Sequence, residues 1–255
     1  MKLECRPMKL VGMAVLMAAS FVVSTAQSHP DLISSTKTIT TQDQVEEWLT
    51  YYYLHPRPDL TIPALQYVDQ EGWLKKDNAR PPIVGFFAQV LAQNPDRTKE
   101  WAAELATASE AQRSVFATAL WMVNSDDSRG LLAHMASNAA SPFRDHAENL
   151  LKKPPPNLLK DEVDSPSFLD ALWGSFFATG DERYVQRLIS VLPYLKKEGD
   201  IQKLLIGGAA KWSLTANAVQ HAKVLEICQS ELGKLPDGQR AALTEIINKA
   251  KEPKH

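Results

Sequence analysis

Cysteine is nearly absent from this chain, and so are the signals of a β-sheet, a bilayer-spanning segment and a basic nucleic-acid surface. The two cysteines are Cys5, ahead of an N-terminal apolar run, and Cys228, near the other end. Cys5 is expected to be removed with that run, which excludes an intramolecular disulfide. Cys228 stands among Val224, Leu225, Ile227 and Leu232 and reads as a buried, unreactive thiol. Alternating β-branched stretches are missing, so strands are not expected. The longest uncharged apolar run, Leu10 to Val23, has 14 residues, short of the roughly 20 a membrane-crossing helix needs. Lys and Arg number 28 against 30 Asp and Glu, a formal charge of −2. So mild a balance provides neither the basic stripe of a nucleic-acid binder nor a polybasic membrane anchor.

What is present begins with a leader. Lys2, Arg6 and Lys9 precede the apolar run, and Ser24, Thr25 and Ala26 follow it, the order of a secretory signal peptide. Cleavage is expected after Ala26, with Met8 as an alternative start to Met1. No cysteine lies close behind the run to take a lipid, so the processed chain is expected in the periplasm or outside the cell, with no stable membrane insertion. Removal of Lys2, Glu4, Arg6 and Lys9 with the leader leaves a net charge of −4.

After a polar lead-in, 27–40, the pattern is helical throughout. Thr41 and Gln44 have capping-box spacing at the head of a helix that carries Trp48 and the Tyr51–Tyr53 cluster before Pro56 and Pro58 end it. Ala64, Leu65 and Val68 mark a second helix, and Pro81 and Pro82 open a third, IVGFFAQVLAQ. Asn94 and Pro95 start a fourth with Trp101, Ala102, Leu105 and Ala106 on one face. Ser109 and Gln112 repeat the capping-box spacing before Val115, Phe116, Ala119, Leu120 and Val123. Asn124 to Asp126 form a turn into a helix lined by Leu131, Leu132 and Met135, and Ser141 and Pro142 begin another that ends at Lys152 and Lys153.

Short connections force antiparallel neighbours. The expectation is therefore an all-α chain of about ten to twelve short helices in antiparallel αα-hairpins, an irregular α-solenoid of the tetratricopeptide or HEAT kind. Pro154, Pro155 and Pro156 with Asp161, Glu162 and Asp164 make 153–165 a proline-rich, acidic linker between an N-terminal hairpin subdomain, 41–152, and a C-terminal one, 166–250. A charged tail, 251–255, closes the chain. In the second half Gly180 suits a left-handed helix end and Asp181 the next start. Further helices are expected at Leu204–Trp212, at Val219–Leu232 and around Ala242, Leu243, Ile246 and Ile247. ALWMVNSDDSR at 119–129 echoes ALWGSFFATGDER at 171–183, and GFFA at 85–88 echoes SFFA at 175–178.

No catalytic constellation emerges. His29, His55, His134, His146, His221 and His255 include no pair at the three- or four-residue spacing that converges on a metal. His146 beside Asp145 and Glu148 reads as a solvated helix face. Ser34 to Lys37 spells S-x-x-K without the companion motifs of that serine chemistry, and DEVD at 161–164 matches a protease site by letters alone. Gly207 and Gly208 lie in an apolar helical stretch and suit close helix packing. Neighbouring carboxylates such as Glu46 with Glu47, or Asp126 with Asp127, diverge by about 100° on a helix. Arg57, between Pro56 and Pro58, reads as a loop charge. No catalytic, cofactor or metal residue is expected.

Aromatic residues are the remaining candidates for a site. Trp48, Tyr51, Tyr52, Phe86, Trp101, Trp173 and Phe177 either fill the core between stacked helices or line a concave surface for a peptide or glycan.

The stretches YYYLHPRP, PPIVGFFAQVLAQNPDR and FLDALWGSFFATGDERYVQRLI together resemble an uncharacterised family of exported bacterial α-helical repeat-like proteins. The resemblance implies a periplasmic or secreted setting and brings no catalytic residues. The leading expectation is a non-catalytic helical-repeat binding or scaffold protein with a protein or peptide partner and no nucleic acid. A helical enzyme acting on cell-envelope material and a host-directed secreted protein are the alternatives.

Overall fold

The computed structural model describes residues 37–197 and 199–252. The expected leader and cleavage point, the alternative Met8 start, Cys5, His29, Ser34 and His255 lie outside them. Among the described residues there are twelve α-helices and no strand. The first half holds α1 Gln42–Tyr51, α2 Thr61–Gln70, α3 Arg80–Gln93, α4 Pro95–Glu104, α5 Glu110–Val123, α6 Asp126–Ser137 and α7 Phe143–Leu151. The second holds α8 Pro166–Thr179, α9 Glu182–Ser190, α10 Ile201–Gln220, α11 Ala222–Leu232 and α12 Asp237–Lys251.

Local chemistry accounts for several of the helix ends. The Thr41 hydroxyl accepts from the Gln44 amide while the Gln44 side chain accepts from the Thr41 amide, a complete capping box. Asn124 (φ 54°) and Gly180 (φ 66°) end α5 and α8 in the left-handed region, and Ser125 and Asp181 cap the helices that follow. Ser109 departs from expectation. Its hydroxyl accepts from the Gln112 amide, but the Gln112 side chain does not return to it. Both side chains donate instead to the Asp69 carboxylate, at 2.6 and 2.8 Å. A tertiary clasp between α2 and α5 therefore replaces the second capping box.

Helices α3 and α8 form the centre. Each is apolar around most of its circumference and buries nine residues, the pattern of a helix enclosed on all sides. They cross at Gly85 and Gly174, where each helix rests on the backbone of the other. The similar GFFA and SFFA segments thus face one another, and the Ser175 hydroxyl donates to the Gly85 carbonyl at 3.4 Å. Helix α1 lies over both, with the Tyr53 amide just beyond it donating to the Phe177 carbonyl at 3.0 Å. Sequential neighbours α5–α6, α6–α7, α8–α9, α10–α11 and α11–α12 pack together as in hairpins, and the α3–α8 crossing joins helices separated by four others.

Two expectations need correction. No glycine or proline interrupts Ser213–Ala218, so the expected pair of helices from Leu204 to Leu232 divides only at His221, and α10 runs unbroken for 20 residues. The 153–165 segment is not a free spacer. Leu158 and Val163 insert into the core, Arg187 holds the Leu158 and Asp161 carbonyls, and the Gln202 side chain donates to the Asp164 carbonyl. Val163 is thereby the buried anchor of DEVD. Gly207 does serve close packing, since a Cβ there would lie 2.7 Å from the Leu195 amide nitrogen, whereas Gly208 faces open space.

Candidate functional site

The aromatic candidates fill the core. Trp48, Tyr52, Phe86, Trp101, Trp173 and Phe177 are all buried, and only Tyr51 is partly accessible. Trp48, Tyr52, Phe86 and Phe87 pack mostly edge to face, with centroids 4.9 to 6.1 Å apart, and the Trp48 indole N–H donates to the Arg57 carbonyl. Trp173, Phe176 and Phe177 make a second cluster on α8. Of the two readings of these rings, core filling describes all but Tyr51: Trp48 and Tyr52 pack on Phe86 of α3, and Trp101 of α4 and the two α8 rings are buried as well. Arg57 pairs with Asp59 at 2.7 Å.

An open cleft lies elsewhere, between α4 and α6. It has a volume of about 590 Å³, within the range of ligand sites. Ala102, Ala103 and Ala106 line one side, Gly130, Leu131 and Met135 the other, and Phe143 closes one end. A neighbouring hollow of about 450 Å³ shares Lys99, Asp127 and Leu131 and continues toward Pro95 and Leu120. The charged lining is Lys99, Arg113, Asp126 and Asp127, with His134 beside them.

Arg113 is the unusual member. Its guanidinium lies over the Phe143 ring, 4.9 Å from the centroid, and its Nε is buried without a hydrogen-bond partner. Among the described residues no carboxylate pairs with it. A buried cationic donor left unmatched is expensive, and a ring face compensates only part of the lost hydration. Asp126 and Asp127 belong to the first turn of α6, where the helix dipole favours them without a cation. The site thus offers apolar walls, one partly buried guanidinium whose Nε is unmatched, and a separate acidic edge.

Other perturbed groups lie away from the cleft. His221 is buried at the α10–α11 junction, with its Nδ1 3.2 Å from the Tyr53 hydroxyl and the Tyr51 and Phe177 rings about it. Burial pushes it down to about 4. Burial likewise raises the Asp170 carboxyl to about 7 and the Cys228 thiol to about 12, in keeping with an unreactive cysteine. His146 is half-buried rather than solvated, with Nε2 3.2 Å from the Thr118 hydroxyl, and burial lowers it too. Among the described residues no three His, Cys, Asp or Glu side chains gather as metal ligands.

The sequence did contain a trace of the cleft. Ala102, Ala103, Ala106 and Gly130 are too small to fill the space between two helices, but recognising a cavity requires knowing that α4 and α6 flank each other. Arg113 on an otherwise core-facing stretch of α5 was the second trace. Compared with family models, with curated proteins and with solved structures, the chain matches none.

Proposed function

We propose that this is an exported, non-catalytic helical binding protein, periplasmic or secreted, whose α4–α6 cleft receives a segment of a protein or peptide partner. The segment would present an apolar side chain to Leu131 and Met135 and a carboxylate to Arg113. The observation that carries this reading is the Arg113 guanidinium, with a buried Nε that no protein group satisfies, at the end of an open apolar cleft. A carboxylate delivered there would form a charge-assisted pair in a partly desolvated site, worth more than one on the open surface. The succession of hairpins supports the finer architectural reading, an irregular α-solenoid that the α3–α8 crossing folds back on itself. The leader supports the compartment.

The experiment is photo-crosslinking in the processed protein. A crosslinking side chain at exposed Ala106 is expected to capture a discrete partner from envelope or culture fractions, and Arg113→Met or Met135→Glu should abolish the adduct. Capture no stronger than from a control position at exposed Glu148 would defeat the reading. N-terminal sequencing should find the exported chain beginning at Gln27; a leader-bearing chain confined to the cytosol would refute the compartment.

A further inference from the structure

Helix α10 spans 20 residues, about 30 Å. Its inner face buries Ile206, Gly207, Ala210, Leu214 and Ala218. Its outer face is also apolar. Ile201, Leu205, Trp212 and Val219 are 73, 58, 46 and 40 % exposed, four of the five large hydrophobic side chains exposed among the described residues. Their spacing of four, seven and seven residues places them on one stripe with heptad periodicity, the seam along which two helices bury each other. The helix carries only two charges, Lys203 and Lys211, and both are drawn to the flanks, toward Glu162 and Glu245. Solvated faces normally carry free charge, so a stripe of this kind marks an interaction surface.

Gly208 indicates the occupant. A glycine inside a helix is destabilising relative to alanine, and Gly207 justifies itself by its contact with Leu195. Gly208 has no such reason, since nothing lies within 4 Å of where its Cβ would be. It leaves a notch on the stripe one turn from the protruding Trp212. Residues 208 and 212 are equidistant from the level of Ala210. A two-fold axis at that level, relating antiparallel copies of α10, sets each Trp212 over the other copy's Gly208. The same axis sets Leu205 against Thr215 and Ile201 against Val219. An isologous contact requires this self-complementarity.

Area agrees with a dimer. With whole side chains of roughly 150–250 Å², the four exposed residues present on the order of 400 Å². Their Gln202, Thr215, Ala216 and Gln220 shoulders extend the face toward the ~800 Å² per partner of a stable pair. A membrane-surface helix would carry lysine or arginine along its rim to meet anionic lipid, and both lysines here are already paired.

We propose that α10 is a homodimer interface, in which two copies of this chain pack antiparallel with Trp212 of each seated on Gly208 of the other. Sedimentation of the processed protein from about 1 to 100 μM, spanning weak to moderate affinities, should show a reversible monomer–dimer equilibrium. Trp212→Glu and Leu205→Glu, at exposed positions, should keep the circular dichroism spectrum and weaken dimerisation by at least about 30-fold, the scale of a central interface residue. Gly208→Ala should raise the melting temperature of the dilute monomer yet weaken dimerisation by about 10-fold. That opposition is not expected of a merely structural glycine. A wild-type monomer at the highest concentration, a dimer indifferent to Trp212→Glu, or a dimer tightened by Gly208→Ala would each overturn the proposal.

Discussion

Gly85 of α3 and Gly174 of α8 are reciprocal contact points, each occupying the position where the other helix's backbone comes closest. A Cβ on Gly85 would strike the Ala171 carbonyl and lie 3.0 Å from the Ala171 Cα. One on Gly174 would lie 2.8 Å from the Pro82 carbonyl carbon and 2.9 Å from the Phe86 amide nitrogen. The obstacles are backbone atoms, so no rotamer change can relieve them. The whole core depends on this approach, because the Trp48–Phe86 and Trp173–Phe177 clusters flank it.

Gly85→Ala and Gly174→Ala should therefore each lower the unfolding free energy by about 1–3 kcal/mol or more, the cost of overpacking. An unhindered Gly→Ala change in a helix instead gains up to about 1 kcal/mol. Gly130→Ala in α6, with nothing within 4 Å of the added carbon, is the control of opposite sign. Urea unfolding of the three variants distinguishes them, and neutral values at both Gly85 and Gly174 would show that the helices can separate without loss.

The contrast between Ser109 and Thr41 shows how far the sequence could be read. Thr41 and Gln44 satisfy each other within four residues, so the pattern suffices. Ser109 and Gln112 have the same spacing, but Asp69, 40 residues away from Ser109, offers a better acceptor, and no local rule contains it. Helix type, the ends at Gly180 and Asn124 and the inert setting of Cys228 follow from local composition. The 153–165 anchor depends on Arg187 and Gln202 reaching back across the fold. The cleft depends on α4 and α6 being held apart, and most of the aromatic residues that drew attention in sequence are core because α1, α3, α4 and α8 turn them inward.

His221 should make the fold acid-sensitive. Its folded value of about 4 lies below the unfolded value near 6.5. The unfolded chain therefore binds the proton more readily, and the stability that neutral His221 contributes is fully present above about pH 6.5. It is lost as pH falls toward 4, by on the order of 3 kcal/mol. His221→Asn, which can still hydrogen-bond the Tyr53 hydroxyl, should flatten this slope relative to wild type in urea titrations at pH 7.5 and 4.5. Equal slopes would place the acid response on other groups.

Asp170 acts in the opposite direction. Burial without a paired cation raises its carboxyl to about 7, above the ordinary value near 3.9. The folded chain then holds the proton more tightly, so the contribution of Asp170 to stability is greatest below about pH 4 and falls as pH rises toward 7. Asp170→Asn removes the buried charge and should stabilise the protein at pH 8 by up to about 4 kcal/mol, with the gain vanishing near pH 4. Melting temperatures of both proteins across that range provide the check, and a gain independent of pH would point to packing rather than ionisation.

With the cleft receiving an acidic segment as proposed, Arg113 links stability to binding. In the free protein its Nε is buried and unmatched, held against Phe143 alone. Arg113→Met removes the uncompensated donor and leaves an unbranched apolar side chain that ends near the position of Nε, giving up the guanidinium's place over the ring. It should raise the stability of the unliganded protein by about 1–3 kcal/mol. The same change should remove recognition of an acidic partner in the cleft, the opposition expected where a site is kept for function at the expense of the fold. Met135→Glu separates the two effects, since it blocks the apolar wall but leaves the guanidinium in place. Chemical unfolding of the free protein, together with crosslinking at Ala106, measures both quantities on the same variants. A less stable Arg113→Met protein would mean that the guanidinium is already satisfied within the chain, and the cleft would lose its claim to an acidic ligand.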